Sequence, residues 1–168
     1  TLAALQALDC AHLSLPCNLG VGGAMQAGFR YALARGYHFV LRIDGDGQHP
    51  PAECHRLIER MARGDVDMVV GSRFLNRQSY RSTWCRQAGI AGLALALSLA
   101  CRRRITDPTS GFQMINRAVL RYFAHQYPAD YPEPESLALL SRQGYRCCEV
   151  PTSFRPRAHG VSSIQTWG

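Results

Sequence analysis

His38-Phe39-Val40-Leu41-Arg42-Ile43-Asp44-Gly45-Asp46-Gly47-Gln48-His49-Pro50-Pro51 decides the reading of this chain. The first six residues are an apolar run of the length and composition of a buried strand. The chain then changes character to a polar turn with glycines at 45 and 47, stopped by two prolines. Open α/β sheets place their ligands beyond the carboxyl ends of strands, which is where this turn falls. On extended backbone, Asp44, Asp46 and Gln48 share one face. Two carboxylates that close repel unless a positive group sits between them. A hard divalent cation with oxygen ligands, also gripping a diphosphate, satisfies them, with Gln48 offering a carbonyl oxygen. The glycines allow close approach of a ligand to the backbone. A calcium loop is excluded: its sixth position would be His49 and its twelfth His55, where glycine and glutamate are required.

Outward from this turn, apolar strands alternate with helical patterns, which argues for an α/β sheet with helices on its faces. Pro51 suits a helix start, and a helix is expected over Ala52–Arg63, ended by Gly64. Val66–Val70 reads as a second buried strand. Upstream, Ala11–Leu15 reads as a short strand, Gly22–Ala34 as a helix ended by Gly36, and Thr1–Leu8 carries a helical pattern. Downstream, helices are expected over Asn116–His125 and Glu135–Gln143, and a last strand over Arg146–Val150. Ala88–Cys101 is an apolar run of 14 residues, short of the roughly 20 needed to span a bilayer. Arg102, Arg103 and Arg104 follow it. Two readings stay open: a core helix with a basic C-terminus, or a helix lying on a membrane surface with arginines at lipid phosphates.

The chain has 168 residues, which suits one domain spanning 1–168. Its 19 basic residues are all arginine, against 12 acidic ones, for a net charge of +7. The absence of lysine excludes Schiff-base chemistry and the lysine-bearing phosphate loop. The arginines are scattered and no nucleic-acid motif occurs, so no nucleic-acid partner is expected. Seven cysteines, with no Cys-x-x-Cys, match neither a disulfide framework nor a zinc site. They point to a reducing, cytoplasmic setting.

Asn18-Leu19-Gly20-Val21-Gly22-Gly23 opens the first helix. Its backbone amides can meet phosphate, or its glycines can serve tight packing. Met25 replaces the third glycine of the dinucleotide fingerprint, which disfavours a dehydrogenase. Glu133 and Glu135 in Tyr-Pro-Glu-Pro-Glu are candidate general bases. Arg155 and Arg157 lie in a terminal loop rich in serine and glycine.

Taken in order, the Asn18–Ala24 block, Asp44–Pro50, Val70-Gly71-Ser72-Arg73, Asp107-Pro108-x-Ser110-Gly111-Phe112, Glu135, Glu149-Val150-Pro151 and Arg157-x-x-Gly160-x-Ser162 resemble family 2 glycosyltransferases of the GT-A fold. The branch most similar contains dolichol- and polyprenyl-phosphate sugar transferases and related bacterial polysaccharide enzymes. The resemblance implies a mostly parallel sheet with helices on both faces, here without the family's N-terminal strands, so an N-terminally incomplete catalytic domain. It implies a nucleotide-sugar donor, inversion at the anomeric carbon, and a Mg²⁺ or Mn²⁺ ion on Asp44, Asp46 and Gln48. Asn18, Gly20, Gly22, Asp44, Asp46 and Arg155 then face the donor. Arg73 faces an acceptor phosphate, Arg157 closes on the diphosphate, and Glu135 fits the acidic position before the family's final helix. The acceptor would be a polyprenyl phosphate or a growing glycan, reached at the inner face of a membrane through peripheral contact. A sugar-nucleotidyl transferase and a non-catalytic nucleotide-sugar-binding domain are the alternatives.

Overall fold

The computed structural model describes residue 5, residues 10–75 and residues 84–155, the side chains at 85 and 86 excepted. In chain order the elements are α1 (Gly20–Ala34), β1 (Phe39–Arg42), a 3-10 turn (Pro51–Glu53) running into α2 (Cys54–Ala62), β2 (Met68–Ser72), α3 (Trp84–Ala100), β3 (Gln113–Asn116), α4 (Arg117–His125), α5 (Pro132–Arg142) and β4 (Cys147–Pro151). The helical pattern expected over Thr1–Leu8 and the loop role of Arg157 fall on residues outside those described, apart from residue 5.

The four strands lie in the order β1-β3-β2-β4. β1 and β2 each pair antiparallel with β3, while β2 and β4 pair in parallel. Three strands therefore share one direction, as expected, but the sheet is mixed: β3 is inserted between β1 and β2, and two of the three ladders are antiparallel. β3 is not legible in the sequence because Gln113-Met114-Ile115 is too short to show a period and Asn116 reads as a helix start. Asn116 serves both roles. It closes β3 opposite Phe39, and its Oδ1 accepts from the backbone N–H groups of Ala118 and Val119 at 3.0 and 3.1 Å, capping α4. The strand expected at Ala11–Leu15 is absent. That segment is largely exposed and joins no ladder, and a strand without a partner leaves its backbone to water.

Helices cover both faces of the sheet. Met68, Val70 and Ile115 project to one side, against Phe29 and Ala32 of α1, Val119, Leu120 and Phe123 of α4, and Leu137 and Leu140 of α5. Val69 and Met114 project to the other, against Leu57 and Met61 of α2 and against Phe112. This two-sided burial is why Val-Asp-Met-Val-Val reads as a continuous apolar run rather than an alternating one. α1 ends in a Schellman motif, with Gly36 N–H on the Leu33 carbonyl, Tyr37 N–H on the Ala32 carbonyl, and Gly36 at φ +79°.

The shared strand direction brings several chain segments to one edge of the sheet. β1, β2 and β4 exit there and β3 enters there, so Asp44–Gln48, Arg73, Gly111–Phe112 and Thr152–Arg155 meet at the same rim.

Candidate active site

The chain leaves β1 at Arg42 and turns at Gly45–Asp46. The strand ends before Asp44, so the shared face expected for Asp44, Asp46 and Gln48 on extended backbone is replaced by a turn. Asp46 Oδ1 accepts from Gln48 N–H at 3.1 Å, and Gly47 takes φ +75°. The Asp44 N–H donates to His49 Nδ1 at 3.1 Å, which leaves the imidazole proton on Nε2. His49 is buried, stacked on Phe112 at 5.0 Å and met edge-on by Phe154 at 4.8 Å. Burial pushes its pKa below the usual value, against the opposing pull of Asp44 and Asp46. The Asp44 carboxylate lies against Gly111, where an added Cβ would sit 2.5 Å from Oδ2. Gly111 is thus needed for close approach.

Behind this turn lies a buried cation. The Arg42 guanidinium donates to Glu133 Oε1 at 2.5 Å, to Tyr127 Oη at 3.3 Å and to Asp44 Oδ1 at 3.4 Å. Burial alone would lower the arginine pKa; the combined negative potential of Tyr127, Glu133 and Asp44 outweighs it and leaves the value raised. Burial pushes the Tyr127 phenol up to about 12, so it remains a protonated donor and acceptor.

A second cluster forms where β2 exits. Arg73 grips Asp107 through two side-chain bonds of 2.7 and 2.6 Å, with its own N–H also on Asp107 at 2.9 Å, and it donates to Thr109 at 2.6 Å. Glu149 of β4 fixes the preceding loop by accepting from the Thr106 N–H and hydroxyl and from the Asp107 N–H. Ser110 closes the loop onto the Gly71 carbonyl at 2.6 Å. The Arg73 guanidinium lies 5.3 Å from the Phe154 ring, which also packs on His49, so one aromatic residue links the two clusters.

Three motif blocks far apart in sequence thus form one structure at one rim. The chain matches the family described as "Glycosyl transferase family 2" over residues 1–123. It belongs to that family. It is similar to a UDP-N-acetylglucosamine–dolichyl-phosphate N-acetylglucosaminyltransferase of Methanococcus voltae, with 28% identity over 80% of this chain and 55% of the relative. An undecaprenyl-phosphate mannosyltransferase of Micrococcus luteus is 31% identical over 86% of this chain and 60% of the relative. The fold is shared with glucosyl-3-phosphoglycerate synthase of Mycobacterium tuberculosis at a TM-score of 0.65 and 20% identity, over 88% of this chain and 50% of that one. The α/β GT-A class is therefore shown. The chain spans between half and about three-fifths of the length of these relatives.

Within this family-2 chain the expected residues are placed unevenly. Asp44, Asp46, Gln48, Arg73 and Arg155 all reach the rim. Gln48 and Arg155 are joined, the Arg155 N–H donating to the Gln48 carbonyl at 2.9 Å. The Gln48 side-chain amide points to the Arg155 carbonyl at 3.5 Å. Arg73 comes to the rim with much of its fork committed to Asp107 and Thr109. Glu135 is exposed on the first turn of α5, while Glu133 is the carboxylate brought to Arg42. Asn18 accepts from the Gly20 N–H at 2.9 Å, and Gly20 is exposed. Gly22 is buried where a Cβ would fall 2.2 Å from the Pro128 carbonyl oxygen. Gly22 therefore serves packing between α1 and the segment leading to α5. The sequence assigns no role to Arg42 or Tyr127, and it shows Gly111 only as part of a motif block. A charge inside an apolar strand was the available signal for Arg42.

Among the described residues, no three His, Cys, Asp or Glu side chains gather to hold a metal. A protein-only cage is thus not formed there. One or two carboxylates at a turn fit a Mg²⁺- or Mn²⁺-type ion that arrives with phosphates and keeps several waters. None of the described helices is long and apolar enough to cross a membrane.

Proposed function

We propose that residues 1–168 belong to the catalytic domain of an inverting glycosyltransferase that moves a sugar from a nucleotide-diphosphate donor to a polyprenyl phosphate. The observation that carries this reading is the convergence at one sheet edge of the Asp44–Gln48 turn, the Arg73–Asp107 cluster and the Phe154–Arg155 segment. The relatives named for dolichyl and undecaprenyl phosphate favour the lipid-phosphate acceptor over a glycan.

Asp44 and Asp46 would hold a divalent cation together with the donor diphosphate, with Gln48 beside them. When bound, that cation stabilises the charge that builds on the departing diphosphate. Arg155 and Arg157 would add positive charge over the same leaving group. Arg73, anchored by Asp107, would present its remaining face to the acceptor phosphate. A phosphate acceptor is already anionic, so neither Glu133 nor Glu135 needs to act as a base; a hydroxyl acceptor would require one. A groove of about 490 Å³ begins at Phe74 and Thr106 and runs along α3 past Ile90, Ala94 and Ile105, with Arg104 at its rim. Its apolar lining and cationic rim suit the first isoprene units beside a phosphate. The outer face of α3, with Trp84, Leu95 and Leu99 exposed, would rest on the cytoplasmic membrane surface.

The test is transfer from UDP- and GDP-linked sugars to a short polyprenyl phosphate by the full-length protein, with Mn²⁺ and with EDTA. Formation of a lipid-linked sugar with release of nucleoside diphosphate, lost in Asp46→Ala, is expected. Pyrophosphate-dependent formation of a nucleoside triphosphate would replace this reading by a nucleotidyl transferase.

A further inference from the structure

Arg42 stands directly behind the turn that holds Asp44, at the last position of β1, with its side chain only 7% exposed. Its register opposite Gln113 fixes where the side chain starts. Its Nε is buried without a partner. What binds it is at the tip, where one nitrogen, Nη2, faces two carboxylates at unequal distances: Glu133 at 2.5 Å and Asp44 at 3.4 Å.

Glu133 is positioned independently of the turn. It lies in the first turn of α5, after Pro132 at the helix start. Its carbonyl accepts from Ser136 Oγ at 2.9 Å. The segment before it is pressed onto Gly22 of α1 at Pro128–Ala129. The short Arg42–Glu133 contact is thus held from the helix side, and it draws the guanidinium away from Asp44.

We infer that Glu133 is a positioning residue that keeps the Arg42 guanidinium at a long, 3.4 Å contact with Asp44, and so sets how strongly the Asp44–Asp46 turn accepts a divalent cation. The inference rests on the proposed reading of that turn as the cation and diphosphate site. A guanidinium on Asp44 neutralises the carboxylate that the cation needs and repels the cation directly. Glu133 counters both effects by taking the guanidinium as its own partner. With Glu133 made neutral, Asp44 becomes the remaining carboxylate among the described partners of Arg42, and the arginine competes with the metal.

The experiment measures binding of UDP and GDP to the full-length protein by calorimetry, in excess Mn²⁺ and in EDTA, using the tighter nucleotide. The ratio of the two dissociation constants is the metal's contribution to affinity. Glu133→Gln is expected to lower this ratio by about fivefold or more, the size of a partly buried charge contact. It should leave metal-free binding unchanged or tighter, because Arg42 gains freedom to meet the nucleotide's phosphates. Arg42→Gln combined with Glu133→Gln is expected to restore the ratio to the wild-type value or above. A merely structural loss would weaken binding in EDTA as well, and the double variant would not rescue it. An unchanged ratio in Glu133→Gln, or a double variant as weak as the single one, would overturn the inference. Asp44→Asn separates the two readings. If it leaves the ratio unchanged, the cation site itself is wrong. If it collapses the ratio while Glu133→Gln does not move it, the cation site stands and the role of Glu133 falls.

Discussion

At the scale of single residues, Asp107 shows how much a charge's setting matters. It is fully buried and receives the Arg73 fork, the Arg73 N–H and a contact from Thr109. A buried pair of this kind adds little net stability over an apolar pair, but breaking it strands the partner charge. Asp107→Asn should therefore destabilise the fold by about 3–5 kcal/mol, read as a shift of the urea midpoint at unchanged slope. A loss below about 1 kcal/mol would mean that Arg73 finds water instead. In the sequence, Asp107-Pro108 is legible as a turn and as part of a motif block, but not as the partner of Arg73, which stands 34 positions away.

At the scale of elements, α3 ends as α1 does, but without the glycine. Arg102 N–H bonds the Leu99 carbonyl and Arg103 N–H the Ser98 carbonyl, with Arg102 at φ +51°. This is a Schellman ending with arginine in the position that favours glycine. A side chain there costs about 1 kcal/mol in local strain. Arg102→Gly is expected to raise the melting temperature by about 2–4 °C, measured by circular dichroism.

Asp67, just before β2, ties three strand ends together. It accepts from the Arg146 N–H ahead of β4 at 2.8 Å and from Asn116 Nδ2 at the end of β3 at 2.9 Å. Burial opposes its charge, but the Arg146 backbone and side chain and Asn116 outweigh that and hold its pKa below the ordinary 3.8. The unfolded chain then binds the proton first as pH falls. The stability due to Asp67 is complete above the unfolded value and is lost as pH drops through the folded one. Asp67→Asn should be less stable than wild type at neutral pH, and the difference should shrink on acidification below pH of about 4. Parallel urea titrations across that range give the check, and a constant difference would contradict it.

At the scale of the whole molecule, α3 carries apolar surface outside the core. α3 buries Ile90 and Ala94 but leaves Leu95 63% and Leu99 71% exposed, and Trp84 79%. One face of this helix packs on the core and the other does not. With Arg102 and Arg104 exposed at its end, while Arg103 turns inward to the Cys147 carbonyl, the outer face suits an anionic membrane surface. Leu95→Gln with Leu99→Gln should reduce co-sedimentation with vesicles containing phosphatidylglycerol several-fold while the melting temperature stays constant. Equal sedimentation of the variant would remove this face from membrane contact.

Local sequence signals specify the α/β class, most of the helices, the strands β1, β2 and β4 and the turn at Asp44–Gln48, but not that β1, read as a buried strand, lies at the sheet edge with Phe39 exposed. Those signals are local: an apolar run, a glycine stop, a Pro-Pro break. Tertiary structure alone decided the rest. It inserted β3 between β1 and β2, because strand pairing is a choice among partners remote in sequence. It also turned Arg73 onto Asp107, brought Glu133 rather than Glu135 to Arg42, and gave Gly22 and Gly111 their meaning as points of close approach. A charge or a missing side chain is visible in the sequence, but its partner is set by which segments the sheet brings to the same edge.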